Sequence, residues 1–172
     1  WLVQGLQPLM KVKHMAMSGR RNVTNALAAL ALGQAVGLPM KAMINAITTF
    51  TGLPHRCEQV ANIGGVDYIN DSKGTNVGAT VAALEGLGPD LAGKIILIAG
   101  GVGKGADFSD LVAPLSRYGK ETLLIGEDAS QIEQAFAGQS EFRHAKNMQE
   151  AVNMAHQLAD SGDLVLLSPA CA

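Results

Sequence analysis

The sequence is poor in cysteine and has no metal-ligand pattern. Its only cysteines are Cys57 and Cys171, and neither belongs to a CxxC pair or lies beside a pair of histidines. A disulfide framework and a zinc site are therefore not indicated, and two reduced thiols in a cytosolic protein are the simpler interpretation. The histidines also lack metal-ligand spacing, so we predict no metal site. They are His14, His55, His144 and His156.

The sequence also lacks a concentration of charge and a long apolar run. The 13 basic and 15 acidic side chains give a net charge of −2, and the basic residues are scattered. Such a chain presents no basic stripe for nucleic acid. No apolar run reaches the roughly 20 residues needed to cross a bilayer, and no signal-peptide pattern is present. We therefore expect neither a nucleic-acid partner nor a membrane segment.

Apolar residues make up 48% of the 172 positions, enough for one domain or for a domain plus a fragment. The stretch NALAALALGQAVGLPMKAMINAITTF, residues 25–50, has apolar residues at helical spacing and a break from Gly37 to Pro39. It predicts two consecutive helices. The TGLPHR segment that follows contains Gly52 and Pro54, and we interpret it as a hinge between two units.

Beyond this hinge, strand-like and helix-like patterns alternate. Continuous apolar strands separated by helices of about ten residues or more are typical of a parallel sheet covered on both faces. We therefore predict an α/β fold with a Rossmann-like, doubly wound, mostly parallel sheet. The predicted strands are GVDYIND, KIILIAGG, ETLLIGE and GDLVLLSP. The predicted helices are NVGATVAALEGL, FSDLVAPLSRYG, DASQIEQAFAG and NMQEAVNMAHQLAD.

Charged and polar side chains crowd into the loop after the first of these strands. In DYINDSKGTNVGAT, residues 67–80, Asp71, Ser72, Lys73 and Thr75 follow the strand and precede a helix. Ligands of open parallel sheets bind outside the carboxyl ends of the strands. Helix capping by the Asp or the Ser is the simpler alternative. A cap does not require a lysine beside two hydroxyls and an acid, so the pattern favours a binding site.

The next strand ends in GGVGKGADFSD, residues 100–110, and carries Lys104 among glycines. Glycines let the backbone approach a ligand, and lysine provides a charge for a carboxylate or phosphate. A Walker P-loop is excluded because Lys104 is followed by Gly105, and a GxGxxG fingerprint does not fit. A solvated lysine is the alternative, but two lysine-bearing loops at successive strand ends favour a shared anion site. The LLSPACA strand end reaches the same edge, where Ser168 offers a hydroxyl.

Five motifs, in their order and spacing, resemble the Mur ligase family over essentially the whole chain. They are GRRNVTNALAALAL, FTGLPHR, YINDSKGTNVGAT, GGVGKGADFS and LVLLSPACA. The DNPR motif of the diamino-acid-adding ligases is absent, so the resemblance is to members that add D-glutamate to UDP-N-acetylmuramoyl-L-alanine. It implies an ATP-dependent, amide-forming ligase of bacterial peptidoglycan synthesis that uses Mg²⁺ and an acyl-phosphate intermediate. It further implies a cytoplasmic enzyme that is a monomer at full length.

The resemblance also implies how the chain is divided. Residues 1–52 would be the last helices of a central ATP-binding domain, and residues 53–172 a Rossmann-like C-terminal domain cut short at its C-terminus. The chain begins at Trp1 and stops at Ala172 just after a strand-like run. We therefore expect both ends to be cut from a longer protein and this piece alone to be inactive. We assign no catalytic residue within it.

The resemblance carries five ATP-binding residues to this sequence, namely Asn22, Asn25, Arg56, Asp71 and Lys73. The two asparagines match residues that contact adenine, and their spacing of three places both on one helical face. Capping by Asn22 is the alternative for that residue. Arg56 and Asp71 match a pair that contacts the ribose and neighbouring groups, and Lys73 matches a lysine near the phosphates.

Thr75 and Lys104 match groups that hold a carboxylate of D-glutamate, which agrees with the anion site inferred from the two loops. Arg21 stands where the family usually has histidine, and we assign it no role.

Other interpretations stay open. A non-catalytic Rossmann-like module that binds a small anion would use the two loops but has no need for Asn22 and Asn25. Another amino-acid-adding Mur or folylpolyglutamate-type ligase would share the architecture. A protein-interaction fragment is disfavoured because the charged loops converge on one edge.

Overall fold

The structure, a computed structural model, describes residues 1–17, 19–136 and 142–172. It divides into two compact units, Trp1–Gly52 and Leu53–Ala172, and the division falls inside the TGLPHR segment. Each unit has its own hydrophobic core. Of the described helices, none has the length and apolar character needed to cross a membrane.

The first unit contains a hairpin and the two predicted helices. Strands β1 (Leu2–Gln4) and β2 (Gln7–Met10) pair antiparallel, and helices α1 (Arg20–Ala35) and α2 (Met40–Thr49) follow. The predicted break between the helices is present, with Gly37 at φ 79°. The hairpin was not predicted, because strands of three and four residues give too few alternations to detect. The buried core of this unit consists of Leu2, Met10, Ala26 and Leu30.

The second unit contains a six-stranded sheet in the order β3-β4-β8-β5-β6-β7. Among the strands that the structure describes in this sheet, only β3 is antiparallel to its neighbour, so the predicted mostly parallel α/β sheet is confirmed. The edge strands β3 and β7 were not predicted. The strands are β3 (Glu58–Ile63), β4 (Val66–Asn70), β5 (Ile95–Gly100), β6 (Gly119–Ile125), β7 (Phe142–His144) and β8 (Leu164–Leu167). The helices are α3 (Val77–Leu87), α4 (Val112–Tyr118), α5 (Ala129–Ala135) and α6 (Met148–Leu158).

Strand β5 is buried along its whole length and shows why the sheet is covered on both faces. Its alternate side chains belong to two different cores. Ile95 and Leu97 pack in the core that includes residues of α3, α4 and α5, whereas Ile96 and Ile98 pack in the core that includes α6. Since side chains alternate across a strand, these cores lie on opposite faces, as in a doubly wound fold.

The parallel strands bring their following loops to one edge of the sheet, which we call the carboxyl edge. Strand β3 adds a further segment to it because β3 runs in the opposite direction. Glu58, its first residue, pairs with Asn70, the last residue of β4. Residues 55–57 therefore also reach the carboxyl edge.

At the opposite edge, a buried carboxylate fixes the start of β8. Asp163 accepts hydrogen bonds from the backbone N–H of Lys94 (2.8 Å) and of Asp160 (2.9 Å), and from Nζ of Lys120 (2.7 Å). Burial alone would raise the pKa of Asp163, but the Lys120 hydrogen bond, followed by the two backbone bonds, holds that pKa below its ordinary value. The charged form therefore stabilises the folded state.

This network predicts an acid-sensitive contribution to stability. A folded-state pKa below the unfolded value gives stabilisation that is present above about pH 4 and is lost as the pH falls through the folded-state pKa. In urea unfolding, we expect Asp163→Asn to lower the free energy of unfolding by about 1–3 kcal/mol at neutral pH, and to lose less further stability in acid than the wild type.

Asp160→Asn is the control, because it removes an exposed ion pair from the same lysine. It should change the free energy of unfolding by less than about 1 kcal/mol at neutral pH. An identical acid dependence in the wild type and in Asp163→Asn would contradict the argument.

Candidate functional site

The loops of the carboxyl edge contain strained backbone. Within the part of the chain that the structure describes, the non-glycine residues with positive φ are His55 (64°), Cys57 (49°), Lys104 (50°) and Ala170 (60°). All four lie in loops or segments at this edge. Such a conformation is unfavourable by about 1–3 kcal/mol and persists where the surroundings enforce it, which is most often at ligand sites. The strain singles out this edge as the candidate site.

Asp71 lies beneath this edge and is only 6% exposed. Its Oδ1 accepts the backbone N–H of Cys57 at 3.0 Å, and its Oδ2 accepts the hydroxyl of Ser168 at 2.8 Å. Because the single hydroxyl proton of Ser168 is used in this bond, Thr80, whose Oγ1 lies 2.9 Å from Ser168 Oγ, donates to Ser168. The Asp71 carboxylate thus joins the segment before β3 and the loop after β8 to its own loop after β4.

Neither Asp71 nor Ser72 caps the following helix, so the capping alternative is excluded. The N-cap of α3 is Asn76, whose Oδ1 accepts the N–H of Ala79 at 2.9 Å. Gly74 fits closely above the buried network, since a Cβ there would lie 2.5 Å from the hydroxyl oxygen of Ser168.

Lys73 and Thr75 flank Gly74 and are exposed, so their polar ends are accessible to a ligand. The sequence placed both residues at this edge, and the structure shows them there on one loop.

Arg56 is exposed, but the backbone on both sides of it is tied to the loop after β4. The N–H of Lys73 donates to the carbonyl oxygen of His55 at 3.1 Å, and Nδ2 of Asn70 lies 3.0 Å from Nδ1 of the same histidine. On the other side of Arg56, the N–H of Cys57 donates to Asp71. Together these contacts fix the turn that carries Arg56. The guanidinium is therefore carried by the same framework as the Lys73 ammonium.

Lys104 is exposed on the loop after β5. This loop leaves the sheet through Gly100 at φ 122°, where a Cβ would overlap the carbonyl oxygen of Ile125. Only glycine allows the chain to pass so close to β6. The three cationic side chains predicted from the sequence, Arg56, Lys73 and Lys104, thus all belong to the carboxyl edge.

The first unit contains a cavity of about 310 Å³ that includes both predicted asparagines. The N-cap of α1 is Gly19, so capping by Asn22 is excluded, and Asn22 and Asn25 share one face of α1. A mostly apolar cavity with two amides suits a flat, polar-edged ring such as a purine. Its lining residues are Met15, Met17, Asn22, Asn25, Ala26, Ala29, Ala46, Ile47 and Phe50.

The side chain of Arg21 lies outside the described residues. No group of three or more His, Cys, Asp or Glu side chains able to hold a metal ion occurs among the described residues. The tertiary contacts from Cys57 and Thr80 to the Asp71–Ser168 pair were not foreseen, because no local sequence pattern signals them.

Comparisons with known proteins agree on one family. The family described as "Mur ligase, glutamate ligase domain" matches residues 55–171. The chain is 56% identical over 172 residues to the UDP-N-acetylmuramoylalanine–D-glutamate ligase of Nitrosococcus oceani, and 50% identical over 175 residues to that of Acinetobacter baylyi. These alignments include 100% of this chain but only 38% and 39% of the relatives, so the chain spans less than half their length.

Solved structures show the same fold. UDP-N-acetylmuramate-alanine ligase from Thermotoga maritima matches with a TM-score of 0.67 and 18% identity, over 91% of this chain and 36% of that one. The bifunctional folylpolyglutamate synthase/dihydrofolate synthase from Yersinia pestis matches with a TM-score of 0.69 and 23% identity, over 87% and 36%. The latter was also solved with AMPPNP and a manganese ion.

The Asp71 network makes a prediction about stability. Ser168→Ala removes the hydroxyl donor from a buried carboxylate, so we expect the free energy of unfolding to fall by about 1–3 kcal/mol in urea denaturation. Ser72→Ala, in the same edge but partly exposed, is the matched control and should stay within about 0.5 kcal/mol of the wild type. Equal effects of the two substitutions would show that Asp71 does not depend on Ser168.

Proposed function

Because the chain belongs to the Mur ligase family, we propose that it forms the C-terminal part of an ATP-dependent ligase that adds D-glutamate to UDP-N-acetylmuramoyl-L-alanine. The two relatives of this name from Nitrosococcus oceani and Acinetobacter baylyi, at 56% and 50% identity over the whole chain, support this choice. The ligases for other substrates among the solved structures are 18% and 23% identical, which gives them less support.

One observation carries the proposal, namely that Arg56, Lys73 and Lys104 all lie in loops of one strained edge. Both proposed substrates of this edge, ATP and D-glutamate, are anions. In the proposed reaction, the terminal phosphoryl group of ATP passes to the carboxylate of the L-alanyl substrate, which gives an acyl phosphate and ADP. The amine of D-glutamate then attacks the acyl carbon, and phosphate leaves. Fixed cations stabilise the negative charge that develops in such steps.

The proposed ATP contacts follow from the residue types. Asn22 and Asn25 each offer an amide that can donate to and accept from the edge of adenine. Lys73 balances phosphate charge, and Arg56 contacts the ribose or a neighbouring group. Asp71 already accepts two hydrogen bonds, so its proposed part is to orient the Arg56 turn while its remaining lone pairs accept from the ribose.

We further propose that Thr75 and Lys104 hold a carboxylate of D-glutamate, with a hydroxyl and an ammonium as donors. Mg²⁺ would accompany ATP in the proposed reaction, and the described residues contain no group of three or more His, Cys, Asp or Glu side chains that could hold it by themselves.

The proposed substrate specificity predicts the response to amino acids. Full-length protein containing this chain, given ATP, magnesium and UDP-N-acetylmuramoyl-L-alanine, should release phosphate with D-glutamate and not with L-glutamate or a diamino acid. Lys104→Ala should raise the KM for D-glutamate roughly 10- to 100-fold, because a charge-assisted hydrogen bond is lost.

Lys41→Ala, which removes an exposed lysine of α2, is the control and should behave as the wild type. Phosphate release that does not increase with any of the three amino acids would favour the non-catalytic anion-binding module instead.

The proposed adenine site predicts a separate effect on ATP. Asn25→Ala should raise the KM for ATP about 5- to 10-fold with the KM for D-glutamate unchanged, because one or two neutral hydrogen bonds to the base are lost. Steady-state kinetics with Asn45→Ala, an exposed asparagine of α2 outside this cavity, provides the comparison. If the wild type, Asn25→Ala and Asn45→Ala have the same KM for ATP, Asn25 does not contact the nucleotide.

A further inference from the structure

The loop that carries Lys104 is held on one side by the segment after β8. The N–H of Val102 donates to the carbonyl oxygen of Ala172 at 3.2 Å, and the N–H of Ala172 donates back to Val102 at 3.1 Å. The N–H of Gly100 donates to the carbonyl oxygen of Pro169 at 2.8 Å. These backbone bonds fix the entry to the loop but stop at Val102, two residues before Lys104.

On the other side, a single side chain reaches further into the loop. Oδ2 of Asp128, which lies between β6 and α5, accepts the N–H of Gly103 at 2.6 Å. The N–H of Asp128 donates to the carbonyl oxygen of Gly101 at 3.1 Å, and its Oδ1 accepts Nε2 of Gln131 at 2.6 Å. A short bond to an ionised acceptor is among the stronger hydrogen bonds in proteins. Gln131 orients the carboxylate from within α5.

Gly103 is the residue immediately before Lys104, and both of its peptide groups are engaged. Its N–H donates to Asp128, and its carbonyl oxygen accepts the N–H of Ala106 at 3.0 Å. The residue is buried, and a Cβ on it would lie 3.0 Å from Cζ of Phe108. Lys104 then adopts φ 50°, a conformation that is unfavourable for lysine and must be enforced by its neighbours.

The negative charge of Asp128 is unexpected beside a loop proposed to bind an anion. Its carboxylate would, by charge alone, repel the substrate carboxylate that Lys104 is proposed to bind. Both oxygens of Asp128 are instead occupied by hydrogen-bond donors from the loop and from α5. We propose that Asp128 is a positioning residue that fixes the Gly103 peptide and thereby sets Lys104 to receive the carboxylate of D-glutamate. This role rests on the proposed function, and Asp128 itself does not touch the substrate.

The test uses the full-length enzyme. Asp128→Ala should raise the KM for D-glutamate about 10-fold, with the KM values for ATP and UDP-N-acetylmuramoyl-L-alanine unchanged. Asp128→Asn should recover most of the affinity, because its amide oxygen can still accept the Gly103 N–H. Glu127→Ala removes an exposed neighbouring acid and is the charge-matched control, expected to match the wild type.

A double-mutant cycle separates positioning from a merely structural role. If Asp128 acts through Lys104, Asp128→Ala in a Lys104→Ala background should raise the KM no further. A full additional rise in that background would overturn the inference. A raised KM in Lys104→Ala with none in Asp128→Ala would also overturn it, while the proposed function stands.

An unchanged KM in Lys104→Ala would overturn both the inference and the proposed D-glutamate site. Should Asp128→Ala fail to fold, Asp128→Glu keeps the charge and shifts the carboxylate by one methylene. This variant should show the same selective rise, and a KM equal to the wild type's would count against the inference.

Discussion

The carboxyl edge depends on one buried carboxylate, that of Asp71. A buried charge is tolerated only when its hydrogen-bond needs are met, and here a backbone N–H and a hydroxyl meet them. Since these donors come from Cys57 and Ser168, segments far apart in the chain must assemble before the carboxylate is satisfied. The loops that carry Arg56 and Lys73 contact the same group or its immediate neighbours.

The carboxyl edge contains the same arrangement twice, namely a residue with positive φ held by a backbone hydrogen bond to a carboxylate. At Cys57, which has φ 49°, the strained residue itself donates its N–H to a carboxylate, that of Asp71. At Lys104, with φ 50°, the residue just before it donates to the carboxylate of Asp128. Charge-assisted hydrogen bonds are strong enough to offset the cost of left-handed backbone. Exposed side chains that we propose to bind the ligands can therefore be held in place by buried or half-buried acids of the same edge.

The parts of the fold that local patterns encode could be predicted, and the parts that depend on distant contacts could not. The apolar run of β5 predicts a strand because it is buried on both faces, whereas β3 exposes Val60 and Ile63 and shows no clean alternation. The polar loops could be predicted as an anion site because each places a lysine, Lys73 or Lys104, in the loop directly after a strand. The Ser168–Asp71 contact joins residues 97 apart, and Asp128 reads in sequence as an ordinary helix start.

Rigidity is what the proposed specificity demands of this edge. D-glutamate and L-glutamate carry the same charges, so a lysine that merely attracts a carboxylate cannot distinguish them. Discrimination arises only when the attacking amine is held at a fixed direction from the bound carboxylate, because the wrong enantiomer then points its amine elsewhere. A lysine has a long, mobile side chain, and the rigid element must therefore be its backbone. The glycine crossing at Gly100, the strained φ at Lys104 and the hydrogen bond to Asp128 supply such a backbone, and they connect the topology of the sheet to the stereochemistry of the proposed reaction.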